Sequence, residues 1–186
     1  MKFHFIDLLL FGALGVGIFL GFRGGLTKKI FNILALTGSI VAATYLMTFV
    51  GGVYHSVFFS SEAVSHVLGF MTVVGALMAG AILLYRKFSP SEIAKSTSQI
   101  LGMVLGAFEG AMITSLLLIM LRVLDTPGTD TRDSSLLYRP LANFLPTTFD
   151  MMKSYLPGAS GFREELSRTF KDADIFEQAS EAGKAL

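Results

Sequence analysis

The chain has 186 residues, of which 52% are hydrophobic and only 16% are charged, and its mean hydropathy is +0.61. A chain this apolar is not a solvated globular domain, and a net charge of +1 excludes the basic field typical of nucleic-acid-binding proteins. It contains no cysteine, which excludes a disulfide framework, a thiolate metal site and a cysteine nucleophile.

Four apolar runs dominate the first two thirds of the chain, and each is about as long as a helix needs to be to cross a bilayer. They extend over residues 5–22, 30–50, 64–85 and 100–121. We therefore predict an all-α integral membrane protein with a four-helix transmembrane domain over residues 1–124. The alternatives are a cleaved signal peptide in place of the first span and a buried soluble bundle. Basic residues instead of a cleavage site follow the first run, and the second run has no polar face.

The composition changes after the fourth run. Residues 125–133 are rich in turn-forming residues, and after them Leu141, Leu145 and Met152 recur at helical spacing, interrupted by two prolines. Such a segment is too interrupted to span a bilayer but suits its interface. We predict a second domain over residues 125–186, with amphipathic C-terminal helices at the membrane interface or capping the bundle, followed by a polar tail.

Basic residues are concentrated in the first and third predicted loops, and the second loop has none. Six of them lie in these two loops: Arg23, Lys28, Lys29, Arg86, Lys87 and Lys95. Cytoplasmic loops of membrane proteins carry an excess of Lys and Arg. We therefore predict that loops one and three are cytoplasmic and that both termini lie outside.

Glycines recur every four residues at the end of the first predicted helix and along the fourth. The two glycine strips comprise Gly17, Gly21, Gly25, Gly102, Gly106 and Gly110. Small residues at this spacing allow two helices to approach closely, and such packing drives helix association in lipid. The strips serve either packing within the bundle or a dedicated contact with another protein. Gly75 and Ala79 on the third predicted helix offer a matching face.

Among the ionisable residues within or beside the apolar runs, we single out Asp7, Arg23 and Glu109. An intramembrane carboxylate costs free energy unless it is protonated or paired. Glu109 is therefore interpreted in two ways: it bonds a neighbouring helix or pairs with Arg23 or Arg86, or it faces a conduit as a proton or cation relay. A simple hydrogen bond to a neighbour predicts that Glu109→Gln is tolerated, because glutamine keeps the size and the bonding capacity.

No pattern in the sequence is typical of an active site. A Gly-rich phosphate loop, a helical His pair for zinc and a nucleophile elbow are all lacking, and the three histidines do not have the spacing of metal ligands. We expect no catalytic residue, no metal and no cofactor. The expected partners are membrane lipids and either a further copy of the chain or another membrane protein, but not nucleic acid.

Several motifs carry a resemblance to a known family. Asp7 opens the first helix, an Arg-Gly turn follows at Arg23, and residues 101–110 read Leu-Gly-Met-Val-Leu-Gly-Ala-Phe-Glu-Gly. Ser-Leu-Leu at residues 135–137 and Pro140 follow the fourth run. Over residues 5–145 the chain resembles the colicin V production protein family, which are bacterial inner-membrane proteins with four predicted spans. Family members commonly have arginine where this chain has Glu109.

The resemblance implies a location in the bacterial inner membrane and a part in toxin production or export and in envelope homeostasis. We expect an accessory protein that acts through helix-mediated assembly and is not an enzyme. The alternative is an oligomeric small channel or transporter in which Glu109 faces a conduit.

Overall fold

The computed structural model describes residues 5–58, 61–88, 95–124 and 126–152, and every regular element in these ranges is an α-helix. Three long helices come first: α1 (Phe5–Phe58), α2 (Glu62–Phe88) and α3 (Lys95–Val123). Two shorter helices follow: α4 (Thr129–Ser134) and α5 (Tyr138–Met152). The all-helical part of the predicted fold class is confirmed.

Three stretches of these helices are long and apolar enough to cross a membrane. They are Phe5–Val57, Val64–Lys87 and Gln99–Val123. The first of them contains two of the four predicted runs, because α1 continues through the region predicted as the first loop.

The helix α1 is broken at Gly25, where φ is 69° and ψ is 175°. That φ lies in the left-handed region, which glycine adopts without steric cost. We call residues 5–24 the first segment and residues 26–58 the second segment. The sequence interpretation of residues 23–29 as a loop was wrong, because the helix resumes directly after one residue and Lys29 lies on it.

The first segment runs antiparallel to α3. Gly17 lies against Gly106, whereas Gly21, one turn later in the first segment, lies against Gly102, one turn earlier in α3. A segment whose later residues meet earlier residues of its partner runs in the opposite direction.

The second segment runs parallel to α3. Gly25 lies against Gly102, and Lys29, one turn later, bonds Glu109, which lies two turns later in α3. The chain therefore reverses its direction at Gly25, so that α3 contacts both segments of α1.

The larger hydrophobic core lies among the second segment, α2, α3 and α5. Its most deeply buried members are Leu36, Ile40, Ala43, Met47, Phe70, Met112 and Leu145. Other large apolar side chains remain exposed, among them Phe5, Leu34, Phe49 and Leu83. Apolar residues on the outer faces of long helices are what a lipid environment requires.

The helix α5 lies against α3 and buries one face, formed by Tyr138, Leu141, Leu145 and Phe149. Spacings of three or four residues place these side chains on one side of a helix. The polar tail predicted within residues 125–186 begins beyond residue 152 and lies outside the described residues, so the division into two domains stays a prediction.

A proline inside α5 is compensated by a side chain of α3. Pro146 has no N–H to donate to the carbonyl of Ala142, four residues earlier. The hydroxyl of Ser115 donates to that carbonyl at 3.1 Å and accepts from the N–H of Leu145 at 2.9 Å. Ser115 is fully buried, so these two bonds connect α3 and α5 in an apolar environment.

Candidate functional site

The two predicted glycine strips lie against each other, on the first segment and α3. A Cβ added at Gly21 would lie 2.1 Å from the carbonyl oxygen of Gly102, and one added at Gly106 would lie 2.4 Å from that of Gly17. These are backbone atoms, which cannot rotate away. Any larger side chain at these positions must therefore push the two helices apart.

A second close helix contact joins the second segment to α2, and the sequence analysis missed it. A Cβ added at Gly69 would lie 2.6 Å from the backbone nitrogen of Gly51. A Cβ added at Gly75, which was expected to offer a packing face with Ala79, would meet no other helix within 4 Å. Gly69 has no glycine four residues away, so the strip pattern gave no signal at this contact.

Glu109 is buried, and both of its carboxylate oxygens are bonded by the second segment. The amino group of Lys29 forms an ion pair with Oε2, and Nδ2 of Asn32 donates to Oε1 at 3.2 Å. Lys29 and Asn32 are three residues apart and so share one helix face. Only 5% of the Lys29 side chain and 7% of the Glu109 side chain are exposed, so helices enclose the charged pair.

The partners of Glu109 differ from those that the sequence suggested. Arg86 is exposed at the end of α2, and exposed Arg23 has its guanidinium carbon 5.7 Å from the centre of the Phe19 ring. Lys29 was not expected as a partner of Glu109, because residues 23–29 were predicted to form a loop. The expectation that Glu109→Gln is tolerated no longer holds, because that change leaves Lys29 as a buried charge without a partner.

The interior beyond this charged pair is apolar on the face of the second segment that packs in the larger core. After Asn32, the positions on that face are Leu36, Ile40, Ala43 and Met47, each at most 2% exposed. The hydroxyl of Thr44, also buried there, donates to the carbonyl of Ile40 within its own helix. This face therefore offers no series of ionisable groups leading away from Glu109.

Asp7 is fully buried and binds the chain just before α5. Its Oδ1 accepts from the hydroxyl of Ser135 at 2.6 Å and from the N–H of Leu137 at 3.0 Å. The same hydroxyl accepts from the N–H of Tyr138 at 3.1 Å, as an N-cap does. A carboxylate near a helix N-terminus is also favoured by the helix dipole. Asp7 thus joins the start of the first segment to the start of α5.

The described residues contain no group of three or more His, Asp or Glu side chains that could hold a metal ion. His55 is exposed, whereas His66 is buried against Gly51, and His4 lies outside the described residues. The structure places two of the ionisable residues singled out in the sequence in buried polar contacts: Glu109 with Lys29 and Asn32, and Asp7 with Ser135.

Comparison with protein families gives a match over most of the chain. The family model of the colicin V production protein covers residues 6–146 of the 186. The chain belongs to the colicin V production protein family. Comparisons with curated proteins and with solved structures found no match. Membership confirms the resemblance, and with the apolar helices it supports a membrane protein with a role in toxin production. The family is not a known enzyme family.

The matched region of the colicin V production protein family contains both polar contacts. Two motifs that carried the resemblance, Asp7 and the Ser-Leu-Leu stretch beginning at Ser135, lie 128 residues apart in sequence but bond each other directly. In the Leu-Gly run of α3, Gly102 and Gly106 pack against the first segment while Glu109 meets the second segment.

Proposed function

We propose that this member of the colicin V production protein family is an inner-membrane accessory protein that supports toxin production or export and envelope homeostasis through helix-mediated assembly. The observation that carries the proposal is the bonding of Glu109 by Lys29 and Asn32. A carboxylate whose two oxygens are bonded by a neighbouring helix contributes to the packing of that helix. It leaves no oxygen unbonded for a passing ion.

The proposal includes four membrane crossings, with α1 supplying two. A straight helix of 54 residues would be about 81 Å long at ~1.5 Å per residue, whereas a bilayer core is roughly 30 Å thick. Two segments that run along α3 in opposite directions accommodate this length as two crossings. The helices α2 and α3 supply the other two, and α5 packs against α3 as an amphipathic helix that caps the bundle.

The proposed orientation places Gly25 and the connection between α2 and α3 in the cytoplasm, with both termini outside. Exposed cations at Arg23, Lys28, Arg86 and Lys87 support it, because basic residues favour the cytoplasmic side. Single cysteines at Thr27 and Ser61 of this cysteine-free chain provide the test, since both residues are exposed at opposite ends. In intact cells an impermeant thiol reagent should label Ser61→Cys but not Thr27→Cys. Labelling of Thr27→Cys but not of Ser61→Cys would show that the orientation is the opposite of the proposed one.

The two glycine strips contact each other within the protein, so partners must bind to the outer faces of the helices. We propose membrane lipids and either a further copy or another membrane protein as these partners. Binding of partners at the outer faces distinguishes the proposal from the alternative, in which the strips form subunit contacts around a conduit that Glu109 faces.

The decisive experiment removes both charges of the buried pair together. Lys29→Met with Glu109→Gln leaves no buried charge without a partner but abolishes every ionisable group of the cluster. Toxin-producing cells that carry the double variant should export toxin at the wild-type level, and the wild-type protein in proteoliposomes should conduct neither protons nor cations. Loss of export at normal protein abundance, together with flux through the wild-type protein, would establish the channel or transporter instead.

A further inference from the structure

We propose that exposed cations at the end of the bundle that contains Gly25 form one binding surface for the headgroups of anionic phospholipids. This basic collar consists of Arg23, Lys28, Arg86 and Lys87, all of which are exposed. The inference rests on the proposed membrane function and names the chemistry of one partner, the lipid.

An aromatic contact places the two lysines of the collar at the same level. The ring centroids of Phe31 and Tyr85 are 5.2 Å apart, which joins the second segment to α2. Lys28 lies three residues before Phe31, and Lys87 lies two residues after Tyr85. The second segment contacts α2 at Gly51 with Gly69 and at Phe31 with Tyr85, so the two helices run antiparallel. Both lysines therefore extend beyond the aromatic pair toward the same end of the bundle.

The first segment adds Arg23 to this level, two residues before the break at Gly25. Its guanidinium lies over the ring of Phe19, one turn further from the bundle end. Phe19 is itself 57% exposed, on a face that lipid must cover. The arginine therefore presents its charge on the lipid-facing side, at the boundary between apolar surface and aqueous end, where phospholipid phosphates lie.

The charge balance distinguishes this end from the opposite one. Lys29 is not part of the collar because its side chain is buried inside the bundle beside Glu109. The connection from α2 to α3 contains one glutamate, Glu92, and α3 begins with one lysine, Lys95, so together they add no net charge. Between residues 122 and 150, by contrast, three arginines are accompanied by four aspartates. An excess of exposed cations at headgroup depth attracts anionic lipid, by about a fivefold preference for each Lys or Arg near the surface before screening by salt.

The full-length protein in phosphatidylcholine bilayers provides the test, with spin-labelled phosphatidylglycerol and spin-labelled phosphatidylcholine of identical acyl chains as probes. Electron paramagnetic resonance separates lipids held at the protein surface from bulk lipids. We expect phosphatidylglycerol to associate at least about threefold more strongly than phosphatidylcholine at low salt, and less so at high salt. Changing all four collar residues to glutamine should bring the ratio close to one. Arg139→Gln, at an exposed arginine of α5, should leave it unchanged.

Each outcome has a distinct meaning. An equal association of both lipids with the wild-type protein, or a preference that survives the fourfold glutamine variant, would refute the basic collar. A preference lost equally with Arg139→Gln would show that only overall charge matters, which also refutes it. The complete lack of a surface-held lipid population would instead contradict the proposed membrane crossings themselves.

Discussion

Replacing Glu109 by glutamine tests the buried ion pair most sharply. The substitution preserves the size of the side chain and its ability to accept from Asn32, and it removes only the charge that balances Lys29. If hydrogen bonding alone held the cluster together, the variant would be as stable as the wild type. Because the Lys29 side chain is 5% exposed, we expect a large loss instead.

The size of the loss follows from what Lys29 can do without its partner. Removing one member of a buried ion pair typically costs about 3–5 kcal/mol, since the remaining charge is not solvated. Lys29 lies four residues from Gly25, so its Cα is only about 6 Å along the helix from the bundle end at ~1.5 Å per residue. Its long side chain can extend part of the way to the headgroups. We therefore expect the lower end of this range, about 3 kcal/mol.

A double-mutant cycle measured by reversible unfolding in mixed micelles checks this value. The partner change Lys29→Met, introduced together with Glu109→Gln, removes the remaining charge and should return stability to within about 1.5 kcal/mol of the wild type. Arg23→Gln serves as the control for an exposed charge near the same end and should have almost no effect. A Glu109→Gln variant as stable as the wild type would refute the ion pair, as would a double variant no more stable than Glu109→Gln.

Three further predictions concern the helix contacts. Gly106→Ala should destabilise by about 1–3 kcal/mol in the same unfolding assay, because its Cβ meets backbone at 2.4 Å, whereas Gly75→Ala should be neutral; equal effects would contradict the close contact. Ser115→Ala should cost about 1–3 kcal/mol by removing its bonds to two backbone groups of α5, and Pro146→Ala should recover part of that loss by giving the carbonyl of Ala142 a helical N–H donor. Asp7→Ala should increase hydrogen exchange at the start of α5 more than Asp7→Asn does, since asparagine still offers an oxygen; identical exchange would argue against the Asp7 contact.

Features with a short sequence period could be predicted, and those set by distant residues could not. The apolar runs lie within the long helices, and the glycine strips form close helix contacts, because apolar length and the four-residue spacing of small residues are both properties of a single helix. That the two strips contact each other could not be predicted, because Gly21 and Gly102 are far apart in sequence. The identity of the partner of Glu109 depends on a residue 80 positions earlier. The sequence around either residue does not indicate which residue so far away along the chain will bond it.

The break at Gly25 explains why the prediction of a loop over residues 23–29 was wrong. Three basic residues between two apolar runs are typical of a loop, and the adjacent glycines also favour a loop. The basic residues are Arg23, Lys28 and Lys29, and the glycines are Gly24 and Gly25. One left-handed glycine is sufficient to reverse the chain, so the helix loses a single residue and the lysines remain helical. The position of each lysine around the helix then determines its exposure. Lys28 is exposed, whereas Lys29 is buried and bonded to Glu109 of α3.

The reversal at Gly25 is the central feature of this account, and one distance tests it directly. Leu9 and Phe49 are exposed on the first and second segments, and spin labels on cysteines at these two positions can be measured by double electron–electron resonance in lipid nanodiscs. If the segments lie side by side along α3, the label distance should be below about 35 Å, since packed helix axes are roughly 8–10 Å apart. A continuous or gently bent α1 would separate the labels by about 60 Å at ~1.5 Å per residue, and that distance would contradict the four-crossing bundle.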